Sequence, residues 1–180
     1  YAEDILKVGE LGYGWLRAAP GIGSVICLIL VSFFPLRRNA GGKLMWSLVG
    51  FGATTIVFGI CGYFGTEGLF SIGGFAVSAG FLVAFTMLLA GGMFDAVSVV
   101  IRGTILHLHT PDEMRGRVAA VNTMFISSSN ELGAMESGVT ARLMGTVPAV
   151  VFGGIMTVLV VAVTWFAAPS IRTLKLYKDE

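Results

Sequence analysis

The stretch that decides the fold is LMGTVPAVVFGGIMTVLVVAVTWFAAPSI, residues 143–171, in which 29 consecutive residues carry no charge. A hydrocarbon layer of ~30 Å needs about 20 apolar residues at a helical rise of ~1.5 Å per residue, so this stretch can cross a membrane. Similar runs precede it, and only the last contains acids, Glu131 and Glu136; the runs are residues 18–36, 44–66, 68–94 and 118–141. The sequence therefore predicts an all-α integral membrane protein.

The composition supports the same class. Residues of the types A, V, I, L, M, F, W, Y and C make up 55% of the chain, and 25 glycines among 180 residues raise the share to about 69%. A soluble domain has ~45–50% on that count and ~25% charged residues, whereas 13% are charged here. A soluble domain of this length cannot keep so much apolar surface from water, and a disordered chain would have far less of it. The net charge of +1 excludes a generally basic protein that binds nucleic acid.

Short polar connections separate the apolar runs, which indicates helices joined by tight turns. The predicted spans are residues 13–36, 44–64, 79–106, 116–141 and 147–168. Residues 68–109 number 42, which is too many for one simple span if all of them are helical. Residues 69–109 therefore leave two possibilities. They form either one crossing after an interfacial segment, Leu69–Ser78, or two crossings divided near Asp95.

The distribution of basic residues favours one crossing and hence five spans. With one crossing, 8 basic residues share a side and 3 lie opposite, whereas two crossings give 4 and 7. Basic residues accumulate on the cytoplasmic side of membrane proteins. We therefore expect a multi-pass protein of the cell membrane with a cytoplasmic C-terminus, and the following residues on that side: Arg37, Arg38, Lys43, Arg115, Arg117, Arg172, Lys175 and Lys178.

The start of the fourth span has the pattern of a capping box. In it Thr110 would be the N-cap, Pro111 the first helical residue and Glu113 the residue that reaches back. Asp112 with Arg115, and Glu113 with Arg117, have the spacing of ion pairs on a helix. Gly145 is expected to end this helix. Small residues recur at every fourth position along it and indicate a surface for close helix packing: Ser129, Gly133, Ser137 and Ala141.

Four ionisable residues lie within or at the edge of the predicted spans: Asp95, Arg102, Glu131 and Glu136. Such residues are costly in lipid and usually face a protein interior or a water-filled cavity. Asp95 and Arg102 are two helical turns apart and share a face, whereas Glu131 and Glu136 need not. Glu131 fits either a structural hydrogen bond between helices or a role in transport.

No motif predicts a metal, a cofactor or a catalytic centre. His107 and His109 are two residues apart, so on a helix they point about 200° away from each other and cannot bind one ion. Cys27 and Cys61 lie in separate apolar runs and are read as buried small hydrophobic residues. The glycine pairs of the apolar runs indicate helix packing rather than nucleotide binding.

Two segments resemble the major facilitator superfamily, in particular its drug-efflux and siderophore-exporter-like branch (the macrolide and enterobactin exporter type). They are TPDEMRGRV, residues 110–118, and FISSSNELGAMESG, residues 125–138. Residues 92–102 are similar to the tenth helix of that family and residues 147–169 to the twelfth. The opening segment, residues 1–24, is similar to the connection from the seventh helix into the eighth.

The resemblance implies that the chain is the C-terminal half of a twelve-helix transporter, with the eighth to twelfth helices in a bundle. The lack of a starting Met at Tyr1 agrees with a piece of a longer protein. The implied activity is proton-driven export of small amphipathic molecules. The implied partners are the lipid bilayer, the N-terminal half of the same transporter and a small-molecule substrate.

The resemblance also implies roles for individual residues. Asp95, Glu131 and Glu136 are candidates for proton or ion coupling, with Arg102 as a charge partner. A cytoplasmic gate loop would comprise Thr110, Asp112, Glu113, Arg115 and Arg117. One departure limits this: the segment PLRRNAGGKL, residues 35–44, keeps the basic residues of the family's loop but has no Asp. The gating charge network of the family is therefore not implied in full.

Two other classes fit the apolar composition, a membrane scaffold that transports nothing and a channel subunit. A channel needs a polar stripe along a helix, whereas the polar residues here are clustered. A scaffold needs no acids within the membrane, so Asp95 and Glu131 argue against it. An intramembrane enzyme lacks a recognisable set of catalytic residues.

Overall fold

A computed structural model describes residues 6, 8–33, 40–61, 68–72 and 75–168 of the chain. These residues form long helices, one short hairpin and a 3₁₀ turn, in the order α1 (Glu10–Phe33), α2 (Ala40–Ile60), β1 (Gly68–Ile72), β2 (Phe75–Ser78), α3 (Ala79–His109), the turn Asp112–Met114, α4 (Arg115–Met144) and α5 (Thr146–Ala167). The helical class is confirmed. The expectations for Arg37, Arg38, Arg172, Lys175 and Lys178 lie outside the described residues.

Within the described residues, the helices α1, α2, α3 and α5 are long and apolar enough to cross a membrane. The helix α4 has sufficient length, 30 residues, but its run of Ser127–Asn130 and its two glutamates make it less apolar. The described chain is thus compatible with a multi-pass membrane protein. The length and composition of the described helices support four of the five predicted spans.

The ambiguous segment 69–109 begins with a hairpin and continues as one helix. β1 pairs with β2 in antiparallel fashion, with Phe70 opposite Val77 and Ile72 opposite Phe75. Ser78 then caps α3, because its Oγ accepts a hydrogen bond from the Phe81 N–H at 3.1 Å. From there α3 runs for 31 residues without a break at Asp95. At ~1.5 Å per residue it is about 46 Å long, so it exceeds the ~30 Å hydrocarbon layer at its ends or by tilting.

The helices pack in alternating directions. α1 is parallel to α3: the rings of Trp15 and Phe85 are 6.5 Å apart, and further along both helices Ser24 Oγ donates to the Gly92 carbonyl at 3.1 Å. α2 is antiparallel to α3, since Gly50 lies beside Phe94 and Gly91 beside Thr54. α2 is also antiparallel to α5. The first residues of α2 and the last residues of α3 and α5 are therefore at one end of the bundle.

Glycine allows the closest approaches between helices. A Cβ placed on Gly23 of α1 would fall against the Leu89 carbonyl, and one on Gly92 of α3 would fall against the Pro20 carbonyl. The same relation joins α2 to α5, where Gly52 and Gly154 face each other. Close backbone approach at small residues is the usual way in which helices associate in lipid.

A single residue connects α4 to α5. Gly145 has a φ of 88°, a value that glycine adopts without steric cost. Its N–H donates to the Ala141 carbonyl at 3.0 Å and its carbonyl accepts from Ala149 N–H at 3.1 Å, so it ends one helix and starts the next. This is the position predicted for the end of α4. α4 packs against α5 but contains no buried residue.

Candidate functional site

The helix α3 carries the only acid–base pair that the described part of the chain places within an apolar helix. Asp95 lies near the middle of α3, about 24 Å from its start. Arg102 is two turns further on, and its Nη2 lies 4.0 Å from Asp95 Oδ1. Arg102 Nε also donates to the Ser98 carbonyl at 3.3 Å, which holds the guanidinium along the helix. Both side chains remain more than half exposed.

These two side chains face a cleft whose other wall is α4. Its volume is about 580 Å³, within the range of small-molecule sites. The α4 residues that line it recur with helical spacing and so share one face of the helix: Asn122, Phe125, Ile126, Ser129 and Asn130. The α3 wall adds apolar side chains around the charged pair: Val99 and Leu106.

The cleft combines groups that bind polar parts of a molecule with groups that bind apolar parts. The carboxylate of Asp95 accepts hydrogen bonds, the guanidinium of Arg102 donates them, and the two asparagine amides do both. At 4.0 Å the ion pair is at the limit of direct contact. Each of the two charges therefore remains open to a third group, such as a proton, a cation or a polar ligand.

The two glutamates of α4 are not among the residues that line this cleft. Glu131 follows Asn130 and points about 100° further around the helix, on a side that is exposed. Glu136 is seven residues after Ser129, so it shares the cleft-facing side of α4 but lies about 10 Å further along the axis. The structure thus brings Arg102 to Asp95 and leaves both glutamates apart from them.

The predicted capping box at the start of α4 is wrong. Thr110 is instead the C-cap of α3, and its Oγ1 donates to the Leu106 carbonyl at 2.6 Å. The helix α4 begins only at Arg115 after the 3₁₀ turn, and no side chain caps it. The cause is a competition for the hydroxyl: the end of α3 offers an unpaired carbonyl within reach, and Thr in a helix readily bonds to the preceding turn.

The other members of the predicted gate loop are exposed. Arg115 Nη2 and Asp112 Oδ1 are 2.9 Å apart, which confirms the predicted pair. Within the described residues Glu113 and Arg117 form no ion pair. A solvent-exposed pair such as Asp112–Arg115 contributes at most about 1 kcal/mol to stability. Its importance would therefore lie in the shape of the turn between α3 and α4.

Sequence reasoning missed Asn122 and gave Ser129 only a packing role. The spacing of Asn122, Ile126 and Ser129 on one face was visible in the sequence, but nothing there showed that this face meets Asp95.

The chain was also compared with known proteins. No family model, curated protein or solved structure was found to match it.

Proposed function

We propose that the chain is part of a proton-coupled secondary transporter that exports small amphipathic molecules. The observation that carries the proposal is the α3–α4 cleft, in which a charged pair and two amides lie among apolar side chains. An ionisable pair within a long apolar helix is costly if it faces lipid. Such pairs therefore usually face protein or water, and they often mark a functional site. The resemblance to the major facilitator superfamily supports the same activity.

In this proposal the chain is the C-terminal half of the transporter, and α4 crosses the membrane as the fourth of the five spans in this half. The helix α4 has no buried residue, and its glutamates are exposed. In a bilayer the polar residues and glutamates of α4 need to contact protein or water rather than lipid tails. The N-terminal half of the same transporter would supply that contact, and substrate would bind between the halves near the midplane, as in transporters that alternate between two open states.

Asp95 is the proposed proton carrier, with Arg102 as its partner. The carboxylate and the guanidinium both line the cleft, 4.0 Å apart. Rocking of one half against the other would open the cleft to the two sides of the membrane in turn, so that a proton taken up by Asp95 on one side would be released on the other. Glu131 and Glu136 of α4 are the second candidates, because they too lie between the ends of a long helix.

The test is Asp95→Asn in the complete transporter, measured by proton-driven export, substrate affinity and melting temperature. We expect export driven by a pH gradient to be lost, while substrate affinity and melting temperature stay close to those of the unsubstituted protein. A scaffold role for the pair would instead lower expression and melting temperature together with activity.

Glu131→Gln is the matched comparison, since it removes an acid that does not line the cleft. We expect it to retain more export than Asp95→Asn. Normal proton-driven export by Asp95→Asn would contradict the role of Asp95 and would leave Glu131 as the candidate.

A further inference from the structure

Two apolar grooves flank the first half of α2, away from the α3–α4 cleft. One has a volume of about 260 Å³ and lies between α2 and α5, with Trp165 and Phe166 at its far wall. The other has a volume of about 400 Å³ and lies between α2 and α3, with Phe94 and Val97 at its far wall. Trp46 and Val49 line both grooves, so the two run side by side along the same helix.

The second groove carries a positive charge at its end. Lys43 lines it in the first turn of α2, where its charge adds to the positive end of the helix dipole. Within the described part of the chain no carboxylate pairs with Lys43.

Trp46 stands between the two grooves. Its side chain is 70% exposed although it lies in the second turn of α2, and it lines both grooves. Tryptophan is enriched at the level of lipid headgroups, where its ring contacts both apolar chains and polar groups. A cation, a tryptophan and two parallel apolar grooves match the parts of a phospholipid with a negative headgroup.

We propose that this surface is a binding site for an anionic glycerophospholipid. Its phosphate would lie at Lys43, and its two acyl chains would occupy the grooves on either side of Trp46. Basic residues beside membrane helices bind anionic headgroups by the same attraction. The proposal rests on the placement of the helices in a membrane and not on transport by the protein.

The experiment uses quenching of tryptophan fluorescence by brominated lipid. A variant of the complete protein that keeps Trp46 as its single tryptophan, with Trp15→Phe and Trp165→Phe among the replacements, is placed in phosphatidylcholine vesicles. Two vesicle samples are compared, one with dibrominated phosphatidylglycerol and one with dibrominated phosphatidylcholine, at the same small mole fraction. We expect an apparent preference of about fivefold for phosphatidylglycerol at Trp46, the effect of one lysine near a membrane surface.

Three further variants make the outcome specific. Lys43→Gln should abolish the preference and Lys43→Arg should keep it. Arg142→Gln, at the end of α4 in the other part of the bundle, should leave it unchanged. Equal quenching by both lipids in the unsubstituted background would overturn the proposal, as would a preference that survives Lys43→Gln. Protection of Trp46 from both lipids would also overturn it, because protein would then cover the grooves.

Discussion

Gly153 and Gly154 are neighbours on α5 with opposite surroundings. A Cβ on Gly154 would lie 2.6 Å from Ile56 Cγ1 and 2.9 Å from the Gly52 carbonyl, whereas a Cβ on Gly153 meets nothing within 4 Å. The Gly154 position therefore fixes the distance between α2 and α5, and the Gly153 position does not. This contrast provides a paired test of helix packing.

We predict that Gly154→Ala destabilises the protein by ~1–3 kcal/mol, the usual cost of overpacking a closed contact. Gly153→Ala should be neutral or slightly stabilising, because alanine is favoured over glycine in a helix by up to ~1 kcal/mol. Unfolding midpoints of both variants in the same detergent check this. Equal shifts in the two variants would show that α5 does not approach α2 at Gly154.

At the scale of elements, the end of α3 has a different cap from the one that its sequence predicts. The string Thr110–Glu113 has every residue of a capping box, but the hydroxyl of Thr110 bonds backward to Leu106 rather than forward. The local pattern predicted that the Thr110 hydroxyl would bond to the backbone of a helix end. It did not determine whether that end is the last turn of α3 or the first turn of α4. The choice depends on the path of the chain between α3 and α4, which is set by packing.

Thr110→Val tests the backward bond. The change keeps the shape of the side chain and removes the hydroxyl, so we expect the last turn of α3 to lose ~0.5–1.5 kcal/mol of local stability. Faster amide hydrogen exchange at the last turn of α3 would report this. Glu113→Ala is the control, since Glu113 supports no cap here, and it should leave exchange unchanged. An equal effect of both substitutions would contradict the backward bond and support the capping box.

The hairpin is the element that sequence reasoning did not predict. Its residues belong to an uncharged run that is too long for one span, so the sequence predicts only an interfacial segment over Leu69–Ser78. The informative feature is the pair Gly73–Gly74 between two short runs with β-branched and aromatic residues, a typical hairpin sequence. Apolar composition alone does not separate the hairpin from the helix that follows it, because the uncharged run 68–94 includes both.

For the whole molecule, the alternating helices lead to a prediction of topology. The packing places Lys43 at the start of α2 near the last residues of α5, and Arg117 follows the end of α3. Arg142 is close to the joint at Gly145, at the opposite end of α4. The 8 to 3 distribution of basic residues in the sequence predicts that the end with Lys43 and Arg117 is cytoplasmic.

We expect cysteines at positions 43 and 117 to react with an impermeant thiol reagent only from the cytoplasmic side. A cysteine at position 142 should react from outside. The measurement is labelling of Lys43→Cys, Arg117→Cys and Arg142→Cys in intact and permeabilised cells, in a background without Cys27 and Cys61. Labelling of Lys43→Cys from outside would reverse the orientation, and reaction of all three from one side would contradict the alternation.

The sequence alone indicated where the helices lie, because each apolar run ends at charged or glycine-rich residues. The pairing of Asp95 with Arg102 also follows from one helix and its period. The cleft does not, because it requires knowledge of which face of α4 turns toward α3. For the same reason Glu131 ranked beside Asp95 in the sequence, although the structure separates them. Relations within an element were predictable here, and relations between distant elements were not.

The contact between α1 and α3 has a consequence for the time course of synthesis. Ser24 and Gly92 are 68 residues apart in the chain, so at ~5–20 residues per second the ribosome makes the second about 3–14 s after the first. During this delay α1 is without its partner. The Ser24 hydroxyl already has an acceptor in its own helix, the Pro20 carbonyl at 2.9 Å. The newborn helix thus carries no unsatisfied hydroxyl at this position while it waits, and the arrival of α3 adds an acceptor at Gly92.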